Sequence, residues 1–249
     1  QNLILMGVFF TMPLYLQLVV GLDAFETGVR MLPISVAMFI TSSGGGYFAT
    51  RWSVRSVVRV GLVLILVAIL VLIGTIEPEL DGARFALAMA VLGVGMGLLA
   101  SQLGNAVQSS VDDADRSEAG GLQWTSAQLG SALGVAVIGS VVLTGLTNGF
   151  VSSIEDDERL DEALRNELVA SVESGIDFLA VDDVEQRLGA AGLADDDVDV
   201  VVEDYGDSQL TALRVGLLGA AGLALLGLLV TTNLPSSVPG RDEQSVAER

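Results

Sequence analysis

Residues 11–33 read TMPLYLQLVVGLDAFETGVRMLP, and the fold follows from how this stretch is parsed. It closes one long apolar run, turns through a short polar loop and opens another. Within the first run stand Pro13, Tyr15 and Gln17, residues that a helix facing only lipid has little use for. An unpaired polar group in hydrocarbon costs roughly several kcal/mol, so such groups face protein or water. The hairpin therefore predicts a polytopic membrane protein with a polar path beside it.

The rest of the chain extends that pattern. Of its 249 residues 51% are hydrophobic, and the mean hydropathy is +0.61. About 20 mostly apolar residues cross a bilayer as a helix. Six segments qualify, over residues 3–20, 31–50, 60–76, 84–108, 122–146 and 210–232. The expected fold class is an all-α membrane protein, a six-helix transmembrane bundle with a small acidic helical insert outside the membrane. As domains, residues 1–147 hold helices one to five and 148–208 the insert; 209–232 form the sixth helix and 233–249 a disordered cytoplasmic tail.

Charge sets the orientation and excludes several functions. All 12 basic residues are Arg, against 31 acids, for a net charge of −19. Residues 148–208 alone carry 19 acids and three arginines. Nucleic acid is not a partner for such a surface. Absence of Lys beside abundant acids suits a high-salt habitat, although GC-rich coding explains the arginine bias equally well. Arg51, Arg55 and Arg59 crowd one short loop, so by the positive-inside bias that loop and the C-terminus face the cytoplasm. The acidic insert then lies outside a plasma membrane.

The spans differ in polarity. The third and sixth are almost wholly apolar. The first carries Thr11, Tyr15 and Gln17, the fourth Ser101, Gln102, Asn105 and Gln108, and the fifth Gln123, Thr125, Ser126, Gln128 and Ser131. Spans one, four and five are therefore expected to be interior or cavity-lining, and three and six to face lipid. Gly93 and Gly97 in the fourth span, and Gly130 and Gly134 in the fifth, set small residues where helices approach closely. In the insert, Leu160, Leu164, Leu168 and Val172 predict an amphipathic helix. Asp182 with Glu185 predicts a capping box opening a second helix. The acids at 195, 196, 197 and 199 lack the Gly and Glu of a calcium loop and read as a solvated face.

Catalytic constellations are missing. Without His or Cys there is no thiol or imidazole chemistry and no usual zinc site, and without Lys no phosphate-binding loop. No metal and no cofactor is expected. The span cores hold no acid, whereas proton coupling inside a membrane needs an embedded carboxylate. The chain begins at Gln1 with apolar sequence from Leu3, which predicts that an N-terminal part precedes it.

Three motifs carry a family resemblance. Pro13, Leu14, Tyr15, Leu16, Gln17, Gly21, Gly28, Leu32 and Pro33 match a "PLYLQ…G……G…LP" pattern. The loop GYFATRWSVRSVV, residues 46–58, is similar to GxLADRxGRRxxL at Gly46, Ala49, Arg51 and Arg55. Thr50, Ser53 and Val54 depart from it. Residues 116–137, RSEAGGLQWTSAQLGSALGVAV, are similar to "RG.ASG..N..RQLGGALGVAV", with Trp124 and Ala127 in place of Asn and Arg. Together they resemble the fourteen-helix drug:proton antiporters of the major facilitator superfamily (the EmrB/QacA type).

That resemblance implies the C-terminal half of a transporter whose partners are membrane lipids, a small-molecule substrate and a missing N-terminal bundle. Helices one and four would line a cavity, two and five would meet the other bundle, and three and six would lie outermost. Phe9, Met12, Tyr15 and Met96 then offer adaptable apolar contacts, and Gln17, Gln102 and Asn105 hydrogen bonds; packing roles fit each as well. A membrane-anchored interaction module whose acidic subdomain binds partners or cations is the alternative. A membrane-embedded enzyme is disfavoured by the lack of acids and His in the spans.

Overall fold

A computed structural model describes residues 1–45, 51–108, 111–112, 114–173 and 178–233, without the side chains at 105, 106, 108, 173 and 233. The chain is all-helical among these residues. Helix α1 (Asn2–Leu14) continues into a π-helical turn, Tyr15–Val19, and α2 covers Ala24–Ser43. Helices α3 (Val54–Ile73), α4 (Gly82–Gln108) and α5 (Arg116–Asp156) follow. Two short helices, α6 (Glu162–Glu173) and α7 (Val181–Ala190), lead to α8 (Asp195–Val230). Six of these, α1 to α5 and α8, are long and apolar enough to cross a membrane. The six-span expectation and the fold class stand.

Local chemistry sets the boundaries. Gly21, at φ +77°, makes the tight turn after the π segment, a conformation L side chains avoid. Asp23 and Glu26 then form a reciprocal capping box: Glu26 N donates to Asp23 Oδ1 at 2.8 Å, and Asp23 N to Glu26 Oε2 at 3.3 Å. The expected box at Asp182 does not form. Helix α7 starts one residue earlier, with Ala180 as a cap that offers no side-chain bond, so Asp182 lies within the first turn. There its charge still complements the helix dipole.

Around the bundle, α2 packs on α4, α4 on α3, α3 on α8, α8 on α5 and α5 on α1, while α1 also touches α8. Glycines set the closest approaches. A side chain at Gly93 would run into the Ile34 carbonyl oxygen of α2, and one at Gly97 would sit 2.8 Å from the Met38 oxygen. A methyl group at Gly95 would sit 2.7 Å from the Gly61 carbonyl oxygen of α3. One at Gly134 would run into the Leu3 backbone of α1, and one at Gly130 would lie 3.6 Å from the Leu3 nitrogen. Lipid tails are as apolar as leucine, so tight backbone approach replaces hydrophobic sorting as the source of association.

Of the polar spans, α1 and α4 are the more enclosed and α5 keeps its polar face open, while apolar α8 is less enclosed than α1, α3 and α4. Thr125, Ser126 and Gln128 on α5 are exposed, and α2 and α5 are the least enclosed spans. The reason is local. Thr125 Oγ1 donates to the Gly121 carbonyl at 2.9 Å and Ser131 Oγ to Ala127 at 3.0 Å, so these hydroxyls are satisfied on their own helix. Apolar α8 instead buries Ala212, Gly216, Ala220, Ala221 and Ala224 against its neighbours. It keeps an outer stripe of Leu218, Leu225 and Leu229, as α3 does with Val63, Val67 and Leu70.

Helices α5 and α8 also run past their expected ends at residues 146 and 210, without a break, to Asp156 and from Asp195. Forty-one residues in α5 reach about 60 Å, roughly twice the hydrocarbon thickness. The extramembrane part is therefore built on two protruding helix ends, with α6 and α7 laid against them. Phe150 and Tyr205 join edge to face, with ring centroids 5.3 Å apart, above a core that includes Ile154, Leu160 and Val201. Arg159 clips the assembly: its guanidinium meets Asp157 at 2.6 Å and Glu203 of α8 at 2.8 Å. Hydrogen bonds from Arg159 hold the Asp157 carboxyl below the usual carboxylate range.

The glycine seams make a paired prediction. Gly93→Ala presses a methyl group onto the Ile34 carbonyl and should destabilise the bundle by about 1–3 kcal/mol. Gly28→Ala, in α2 with nothing within 4 Å of the new methyl, should stabilise it by about 0.5–1 kcal/mol. Thermal unfolding of the two variants in detergent, with opposite shifts in Tm, checks the assignment.

Candidate functional site

Seven residues were expected to line a cavity, and the structure separates them. On α1, Ile4, Val8, Thr11, Met12, Tyr15 and Leu16 are buried, which leaves a stripe at Asn2, Met6, Phe9, Pro13 and Gln17 on the open side. Phe9 is 38% exposed and Gln17 is exposed. Met12 and, on α4, Met96 are wholly buried between helices. Gln102 is buried too; its Nε2 donates to Ser101 Oγ at 3.3 Å and its Oε1 has no partner among the described residues. The Asn105 side chain lies outside the described residues. Thus Phe9 and Gln17 face the open side, whereas Met12, Tyr15, Met96 and Gln102 sit within the bundle.

Tyr15 has a defined task there. It is the first residue of the π turn, two positions after Pro13, which has no N–H to give to the helix. Its hydroxyl lies 2.8 Å from the Thr75 carbonyl oxygen and 2.7 Å from that of Glu77, sharing its proton between them, and accepts from Glu77 N at 3.3 Å. From the other side, Arg214 of α8 donates to the Ile76 carbonyl at 2.6 Å. The α3–α4 turn is therefore clasped by a phenol from α1 and a guanidinium from α8. Thr75, Ile76 and Glu77 had no signal in the sequence, because they act through backbone groups that any residue carries.

At the opposite end of the bundle, Arg51 is exposed and Arg55 half-buried at the start of α3. Gly46, the first residue of the loop motif, lies outside the described residues. Arg59 Nε donates to Thr231 Oγ1 at 3.1 Å, tying α3 to the end of α8. Among the described residues no three carboxylates converge as metal ligands. Large apolar side chains stand exposed on α2, at Phe25, Leu32, Phe39 and Ile40, and on α5, at Leu122, Trp124 and Leu129.

The clasp is testable. Tyr15→Phe keeps the ring and removes the hydroxyl, leaving the buried Thr75 carbonyl without it at a cost of about 1–3 kcal/mol. A lower Tm, with faster hydrogen exchange confined first to the α3–α4 turn, is the expected outcome.

Comparison with known proteins follows the fold. The chain is 27% identical over 140 residues to the multidrug transporter protein MdtP of Bacillus subtilis (strain 168), covering 55% of this chain and 25% of that protein. It is 28% identical over 144 residues to a tetracenomycin C resistance and export protein of Streptomyces glaucescens, covering 58% and 26%. Against multidrug resistance protein Stp of Mycobacterium tuberculosis (strain ATCC 25618 / H37Rv) it is 24% identical over 220 residues, covering 86% and 39%. The chain thus spans about a quarter to two fifths of the length of these relatives. The sequence profile of the Major Facilitator Superfamily matches residues 1–135, more than half of the chain. With six apolar spans, glycine-seamed packing and these relatives in agreement, the chain belongs to the major facilitator superfamily.

Proposed function

We propose that this chain is the C-terminal half of a fourteen-helix, proton-coupled exporter of amphipathic or cationic drugs that works by alternating access. The observation that carries the reading is the open surface of α2 and α5 beside the α1 stripe of Phe9 and Gln17. Two least-enclosed spans, α5 packed on α1 and α2 meeting it at the π turn, with an aromatic and an amide on the open side of α1, suit a partner bundle that closes a cavity between the halves. The names of relatives as multidrug or antibiotic exporters support efflux. Phe9 would supply an adaptable apolar contact and Gln17 a hydrogen bond to substrate. No acid lies in the described span cores from α3 to α5, so the proton-carrying carboxylate belongs to the other half. The arginine loop faces the cytoplasm and the acidic insert faces outside.

Reconstituted by itself in proteoliposomes with an imposed proton gradient, the 249-residue chain should move no ethidium. Gradient-driven transport by this chain alone would sink the half-transporter reading. Orientation has its own test, made simple by the absence of cysteine. A single cysteine introduced by Asp183→Cys should react with a membrane-impermeant maleimide on intact cells, and Ser56→Cys only after lysis. The reverse pattern would invert the topology.

A further inference from the structure

The extramembrane part carries a cavity that the transport reading does not use. It has a volume of about 270 Å³ and opens between α6 and α7 over the Phe150–Tyr205 pair. Leu168 and Val172 form one wall, and Val184 and Leu188 the other. Tyr205 also fixes the end of the cavity, since its hydroxyl accepts from Leu179 N at 2.8 Å. Among the described residues that line it, Arg187 is the only charged group.

Arg187 is singled out by elimination. The segment 148–208 has 19 acids and three arginines. Arg159 is committed to Asp157 and Glu203, and Arg165 donates to the Glu155 carbonyl at 3.0 Å. Arg187 has neither an ion pair nor a hydrogen bond among the described residues, although Asp183 stands one turn before it on α7. A cation in the last turn of a helix also suits the helix dipole, but such a role needs no apolar cavity beside it. Here the guanidinium borders one.

From this geometry we infer that the cavity binds a small amphipathic carboxylate, its apolar body between α6 and α7 and its carboxylate on Arg187. The volume lies near the lower end of ligand sites, which suits a short alkyl chain or single ring rather than a drug-sized molecule. An apolar wall with one planar guanidinium matches a carboxylate by charge and by forked hydrogen bonding. A cationic ligand would meet repulsion from the same group. Asp183, one turn from Arg187, opposes a bound carboxylate, but acids beyond about 8 Å are screened at physiological salt, so direct contact with Arg187 decides the sign. The inference is independent of the transport reading.

The test uses the full chain in phosphatidylcholine nanodiscs, with hexanoic acid as probe followed by saturation-transfer NMR, hexan-1-ol as control, and empty nanodiscs subtracted. Saturable binding of the acid is expected. Arg187→Gln should weaken it at least about tenfold, the loss of one charge-assisted hydrogen bond, and leave the alcohol unchanged. Arg187→Lys should keep part of the preference for the acid. Val184→Trp should fill the cavity and abolish binding while the helical melting curve stays in place. No saturable binding above empty nanodiscs, equal binding of acid and alcohol, or an Arg187→Gln variant with unchanged affinity would each overturn the proposal.

Discussion

Direct contact of backbone with backbone at glycine is the constraint on which this bundle depends. Water drives soluble helices together, but hydrocarbon gives no such preference, so van der Waals fit and polar bonds must do it. Gly93 and Gly97 bring α4 onto α2, Gly61 and Gly95 bring α3 onto α4, and Gly134 brings α5 onto the Leu3 end of α1. Each seam replaces a methyl-sized gap with main-chain contact. The rest of the architecture hangs between those seams. Apolar α8 packs through its own small residues, Ala212, Gly216, Ala220, Ala221 and Ala224, and keeps its leucines on the outer side.

Polar groups tie helix ends together. Tyr15 and Arg214 occupy the carbonyls of the α3–α4 turn, and Arg59 reaches the end of α8. In a bilayer such bonds locate helix ends along the membrane normal, which glycine seams alone leave free to slide. The π turn beginning at Tyr15 follows from the same logic: a wider turn after Pro13 carries the phenol to the carbonyls. The candidate cavity surface is consequently narrower than the polarity of α1 implied. It is the Phe9 and Gln17 side of the helix, with Met12 and Tyr15 turned the other way.

The extramembrane part extends the bundle rather than hanging from it. Because α5 and α8 continue through their expected ends, movement of either helix in the membrane is transmitted to the Phe150–Tyr205 contact and to the Arg159 clip. The cavity beside Arg187 rests on those same helices. A ligand there would sense, or bias, the relation of α5 to α8.

Much was legible before any coordinates. Six spans, the all-α class, the arginine-marked loop and the glycine positions are properties of composition and of periodicity along one chain, and bilayer thickness converts them into helices. Leu164 and Leu168 at helical spacing likewise foretold α6. What the tertiary structure decided is which side of each helix faces what. A hydroxyl such as that of Thr125 reads as a polar signal, but it is satisfied one turn back and carries no information about burial. The clasp partners of Tyr15 are carbonyls, and carbonyls are the same in every residue. Sequence by itself determined how many helices cross and where small residues stand; only packing decided their neighbours, because in lipid the choice rests on shape and hydrogen bonding between helices distant in the chain.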